Sequence, residues 1–345
     1  MSSLPTADER VWLVDQLVDL MASAGWEPLV NAPLVEPDAR FFPDRWSADA
    51  GGVRRMARRL LRYVGLDTLD VQVDIFDGGR TQESDGHGRS SERHEGAAAW
   101  FAGIEDGVCL FGAEAGGFED PAVLAGTMAH EVAHVYRRVR GLEVDDRDLE
   151  ERLTDLTTIF LGFGVLTTNA SLKHRSHGDL NYHAWSRKSV GYLPPQAMSF
   201  LLALQVCARE LDAAGRRHVA GLLETNQRAY FAAACTWIAA QLPTLGERLG
   251  LPDPSSWPDP PALGPLWAPI EEGPEALVAA PVKPVKPVGE NAGRAVFRVH
   301  HTQAATFGKA AAVLGAIVGV FGSTGAAAVW WWGGAAAFVG LAVLA

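Results

Sequence analysis

The sequence predicts an α+β architecture: a mostly helical domain with one small β-sheet, followed by a proline-rich linker and an apolar C-terminal segment. Three observations support this. Several runs in the first 240 residues place apolar side chains three and four apart, the period of an amphipathic helix. Asp70–Phe76 alternates apolar and polar residues, and two apolar runs flank Glu105-Asp106-Gly107, so strands and a hairpin are expected there. From Leu251 to Gly289 the chain concentrates 11 of its 20 prolines, and residues 310–345 are 36 consecutive uncharged positions.

In chain order, residues 7–24 form an expected helix with Trp12, Leu13, Leu17, Leu20 and Met21 near helical spacing and Gly25 as the stop. Arg40–Trp46 is a proline-broken connector. Val53–Val64 is a second amphipathic helix whose arginines make a solvated face. The strand at 70–76 is followed by a polar loop from Gly78 to Gly96 holding His87 and His94, then by the hairpin arms 98–103 and 108–111. Asp120-Pro121 supplies an N-cap and a first-turn proline for the next helix, Arg137, Arg138 and Arg140 suit its C-terminal dipole, and Gly141 ends it. Leu149–Phe160 is again helical. Gly162–Leu166 closes that helix, Ser171–Tyr192 is polar, and helices follow at 194–213 and about 216–241.

Composition narrows the function. A chain of 345 residues, 48% hydrophobic and 21% charged, can bury a sizeable core in one domain of about 200 residues plus appendages. A net charge of -11 without a basic run excludes a nucleic-acid partner. Cys109, Cys207 and Cys235, widely spaced in apolar surroundings, read as buried thiols of a reducing compartment. The amino terminus lacks a secretory signal, which places the domain in the cytoplasm.

The tail extends that placement. Residues 310–345 suit one membrane helix, or two short ones turning at Gly322-Ser323-Thr324-Gly325, with passes near Lys309–Phe321 and Ala326–Ala345. Gly315 and Gly319 have close-packing G-x-x-x-G spacing, and Arg294, Arg298 and Lys309 keep the preceding domain on the cytoplasmic side. The expected division is an N-terminal helical segment at 1–39, a main domain at 40–245, a linker at 246–305 and a membrane anchor at 306–345.

The chemistry concentrates in Ala129-His130-Glu131-Val132-Ala133-His134-Val135. On a helix His130 and His134, four apart, share a face and can point imidazole nitrogens at one ion, while Met128, Val132, Val135 and Tyr136 bury the other side. Glu131 beside that face can take a proton from a water acidified by the ion. Two imidazoles and a carboxylate with an open position suit zinc. The third ligand is expected after sixteen intervening residues, where Glu151, Asp155 and Thr158 line one side of the 149–160 helix. Glu151 is the first choice, with Glu150 and Asp155 as alternatives. As a further role, Asp155 would accept the distal N–H of a ligand histidine.

H-E-x-x-H on one helix and E-x-x-x-D on the next resembles the gluzincin branch of the zinc metallopeptidases over roughly residues 120–160. The resemblance implies a zincin-like domain that hydrolyses peptide bonds with Zn(2+), and an edge strand of the sheet running along the cleft to pair with an extended substrate. It also implies a later His, Tyr or Arg stabilising the oxyanion, for which His183 and Tyr192 are the candidates. The expected protein is a membrane-anchored zinc metallopeptidase. The alternative is a tethered binding or sensing module that keeps the fold without turnover.

Overall fold

The computed structural model describes residues 2–76, 99–177 and 192–270. The chain opens with α1 (Ala7–Ala24), α2 (Glu27–Asn31) and α3 (Ala50–Tyr63), followed by strands β1 (Asp70–Phe76), β2 (Ala99–Glu105) and β3 (Val108–Glu114). Helices α4 (Pro121–Val139), α5 (Arg147–Phe160), α6 (Gly164–His177), α7 (Pro195–Ala208), α8 (Ala213–Gly221) and α9 (Thr225–Gln241) come next. Two short helices, α10 (Leu245–Arg248) and α11 (Leu263–Trp267), complete the order. The described chain is therefore mostly helical with a three-stranded sheet, an α+β fold.

Helix starts are set by local chemistry. Thr6, Asp49, Asp120, Asp146 and Asp212 each accept a hydrogen bond from the backbone N–H three residues on, satisfying a donor that the first helical turn leaves unpaired. In the sheet β3 is central, parallel to β1 and antiparallel to β2. Asp106 and Gly107 join β2 to β3 with φ of 49° and 82°, the left-handed pair that a two-residue hairpin turn needs. Among the described strands β2 is an edge. It packs against α4, and its register slips between Phe101 and Gly103.

Helices α3 and α4 cover the sheet, α5 and α6 lie beside α4, and α7 and α9 form the far side of the helical layer. The core runs continuously through Leu13, Leu60, Phe111, Val132, Phe160, Phe200 and Phe231. At the α4–α6 crossing a Cβ on Gly126 would stand 2.7 Å from Ala170 Cβ and 2.9 Å from the Leu166 carbonyl oxygen, so only glycine permits this approach.

Several features differ from the sequence expectations: the helix expected at 194–213 ends at Ala208, and Cys207 and Cys235, expected to be buried, are partly exposed. The polar segment after 171 begins inside a helix, since α6 continues to His177. The single helix expected at 216–241 is two, because Asn169 on α6 holds the break: its side-chain N–H donates to Leu222 O at 2.9 Å and its side-chain oxygen accepts from Glu224 N at 2.9 Å. Arg59, expected on a solvated face, is fully buried. Its guanidinium donates to both oxygens of Asp44, at 2.8 and 2.9 Å, to Leu266 O, and to Ala268 O at 2.8 Å. Asp44 also accepts from Ile270 N at 2.8 Å, and Arg62 donates to Ala268 O at 2.7 Å. Residues 263–270 are thereby strapped onto α3.

Among the described residues no helix is long and apolar enough to cross a membrane. The run at 310–345, where the membrane segment is expected, lies outside the described residues, as does the linker beyond 270.

Candidate metal centre

The apolar side of α4 fixes its rotation: Met128, Val132, Val135 and Tyr136 are all buried, which turns His130 and His134 toward α5. The two imidazoles meet edge to face with ring centroids 4.9 Å apart. From α5, Glu151 Oε2 comes within 3.1 Å of His130 Nε2 and 3.4 Å of His134 Nε2. Two ligand atoms on a tetrahedral zinc, at bond lengths near 2.0–2.1 Å, stand about 3.3 Å apart. The separations of 3.1 and 3.4 Å lie close to that value. Among the described residues His130, His134 and Glu151 form a group whose donor atoms all lie within 4.8 Å of one another and can hold a metal ion.

The opposite ring nitrogens explain why both Nε2 atoms face this point. His130 Nδ1 lies 2.9 Å from Asp155 Oδ1, and the other Asp155 oxygen accepts from Leu193 N at 2.8 Å. His134 Nδ1 lies 3.2 Å from the hydroxyl of Thr154, which is fully buried. An acceptor at Nδ1 holds the proton there and leaves the Nε2 lone pair for a metal.

The same contacts decide between the candidates for third ligand. Both oxygens of Asp155 are engaged away from the centre. Glu150 grips the buried Arg137 with two bonds of 2.7 Å and also accepts from Val144 N at 3.0 Å. Arg137, expected to serve the helix dipole, instead ties α4 to α5 and to the Leu142 carbonyl, at 2.6 Å. That lock closes the short connection between the helices and leaves Glu151 as the carboxylate facing both imidazoles.

Glu131 is buried, and its Oε2 accepts from Phe101 N on the edge strand at 2.7 Å. Burial raises its carboxyl above the ordinary value, against the pull of His130 and His134. Burial would raise Glu151 too, but its hydrogen bonds to His130 and His134 draw it far below the usual carboxylate range. For His130 burial opposes charge, and the Asp155 and Glu151 carboxylates outweigh it, leaving the imidazole well above its usual value.

The Tyr192 ring lies beside His130, centroids 5.3 Å apart. Burial, then the Glu151, Glu131 and Asp155 carboxylates, push its phenol far upward. A recess no larger than a water molecule lies next to His130, walled by Gly126, Asp155, Thr167, Ala170, Tyr192 and Leu193. His183, His87 and His94 lie outside the described residues.

Two participants escaped the sequence reading. Thr154 had a signal, since it stands three residues after Glu151 and so shares its helix face. The Phe101 amide had none, because a backbone donor carries no side-chain signature.

No protein-family model, curated protein or solved structure matches the chain.

Proposed function

We propose that the chain is a zinc-dependent peptidase, held to a membrane by residues 310–345. The observation that carries this reading is the meeting of His130 Nε2, His134 Nε2 and Glu151 Oε2 at separations near a tetrahedral edge, with the Glu131 carboxylate one residue from the first histidine. Zinc is favoured by a donor set of two imidazoles and one carboxylate that leaves a coordination position open. Bound there, the ion supplies Lewis acidity that polarises a carbonyl and makes water nucleophilic near neutral pH.

The protein's own groups divide the remaining work. Glu131 takes the proton of the attacking water and returns it to the departing amine; its raised carboxyl brings it closer to the pH at which both transfers are easy. Phe101 N holds one Glu131 oxygen, which directs the other toward the reaction. Tyr192 keeps its phenolic proton at neutral pH and so serves as a donor to the oxyanion. An extended peptide adds to the outer edge of β2 beside the metal centre.

The test uses the full chain with wild-type and Glu131→Gln proteins, a peptide library and elemental analysis. The expected result is about one zinc per chain in both, with cleavage in wild type reduced at least about 10³-fold in the variant. Bound zinc without wild-type cleavage would instead indicate a tethered binding or sensing module.

A further inference from the structure

Residues 40–63 hold seven arginines against two acids, Asp44 and Asp49, in a chain whose net charge is -11. Five of the arginines lie on α3, which contains no acidic residue. At 3.6 residues per turn, Arg54, Arg55, Arg58 and Arg62 fall within about 100° of one another around the helix axis. Opposite them Val53, Met56, Ala57, Leu60 and Leu61 are buried. Like charges four residues apart, as at Arg54, Arg58 and Arg62, weaken an isolated helix, so this stripe does not serve helix stability. Arg45 extends the patch, because its carbonyl accepts from Arg55 Nε at 2.9 Å.

The positive charge of this face is not cancelled locally. Asp44 is engaged by the buried Arg59, and Asp49 caps α3 by accepting from Gly52 N at 2.9 Å. Arg55 donates to Ser47 Oγ and Arg62 to Ala268 O, each at 2.7 Å; both acceptors are neutral. Arg45, Arg54 and Arg62 form no ion pair among the described residues.

The path of the chain points to what this face meets. The strap at 263–270 lies along one margin of the stripe, held by Arg59, Arg62 and Asp44, so the chain leaves the domain from the side of α3. After residues 271–309 it enters the uncharged run at 310–345. A flexible linker of that length spans about 35 Å on average, which keeps the domain near the far end of the linker at an effective concentration of roughly millimolar. Beside an anionic bilayer each cationic side chain strengthens contact about fivefold, so three supply about 100-fold. The rest of the chain is more acidic than the whole and is repelled, which selects one face.

We propose that the arginine face of α3 seats the domain on the anionic headgroups of a phospholipid bilayer. The inference rests on the membrane tether of the proposed function, and on neither zinc nor turnover. Helix α3 packs over β1 and α4 over β2, so the contact engages the edge of the sheet opposite the one beside the metal centre.

The experiment adds the full chain to vesicles of phosphatidylcholine alone, or with about 30% phosphatidylserine, and measures flotation and the rate at which phenylglyoxal modifies each arginine. Flotation with neutral vesicles reports on the tail. Modification of Arg45, Arg54 and Arg62 reports on the face: it should slow at least about fivefold with anionic vesicles and stay unchanged with neutral ones. Salt at about 1 M, where the screening length falls to about 3 Å, should abolish the slowing. Arg45→Gln combined with Arg54→Gln should abolish it at Arg62, whereas Arg45→Lys with Arg54→Lys should keep it; if the glutamine variant does not fold, the salt dependence of the wild type decides. Flotation with neutral vesicles and equal modification in both would overturn the inference and leave the tether standing. Flotation with anionic vesicles only, with slowed modification, would support the face and overturn the tether. No flotation with either would overturn both. Slow modification already in the absence of vesicles would assign the face to an acidic segment of the chain itself, and so overturn the inference.

Discussion

Asp155 Oδ1 stands 2.9 Å from His130 Nδ1, and the second oxygen of the same carboxylate receives Leu193 N–H at 2.8 Å. One side chain therefore orients the first imidazole and pins the segment that enters α7. Asp155→Asn keeps the size but replaces one acceptor oxygen by a donor. Zinc affinity, measured by competition with a chromophoric chelator, should fall about 10- to 100-fold. An unchanged affinity would remove Asp155 from the centre.

Neighbouring glutamates should separate cleanly. Glu151→Gln should abolish stoichiometric zinc binding by elemental analysis while leaving the far-ultraviolet circular dichroism intact. Glu150→Gln should retain zinc but lower stability by roughly 3 kcal/mol in denaturant titrations, because it leaves the guanidinium of the 3%-exposed Arg137 poorly compensated. The reverse pattern would make Glu150 the ligand.

Thr154 offers a finer test. Thr154→Val preserves shape and removes the oxygen facing His134 Nδ1; zinc dissociation should accelerate roughly 10-fold. Thr154→Ser, which keeps the hydroxyl, should stay near wild type. Equal behaviour of the two variants would assign Thr154 to packing alone.

The acid limb of the stability curve should report on the strap. Burial works against the Asp44 carboxylate, but the Arg59 and Ile270 N hydrogen bonds hold it below its unfolded value of 3.8. A carboxyl depressed in the folded state contributes stability above its unfolded value and loses that contribution as pH falls through the folded one. Thermal melts from pH 5 downward should therefore show a decline that Asp44→Asn flattens, with the variant already less stable at pH 7.

Much of this was legible in the sequence because the signals were local. The helix at 7–24, the strand at 70–76, the Asp106-Gly107 turn and the 120–141 helix follow from caps, periodicity and turn chemistry within a few residues. That Asp155 would accept from a ligand histidine followed from its place one turn after Glu151, but that the histidine is His130 did not. What was not readable depends on contacts distant in sequence. The α8–α9 break needs Asn169, the burial of Arg59 needs carbonyls more than 200 residues away, and the choice of Glu151 over Glu150 needs Arg137.

Every side chain proposed to ligate or orient the ion falls between His130 and Asp155, on two helices joined by a turn. Closing so short a loop costs little entropy, and each doubling of loop length would add only about 0.6 kcal/mol. The α4–α5 hairpin is therefore suited to nucleate early, with ion capture possible before the C-terminal strap has docked. Metal acquisition during folding would then depend on ion supply at that stage and be largely indifferent to how the remainder of the chain is completed.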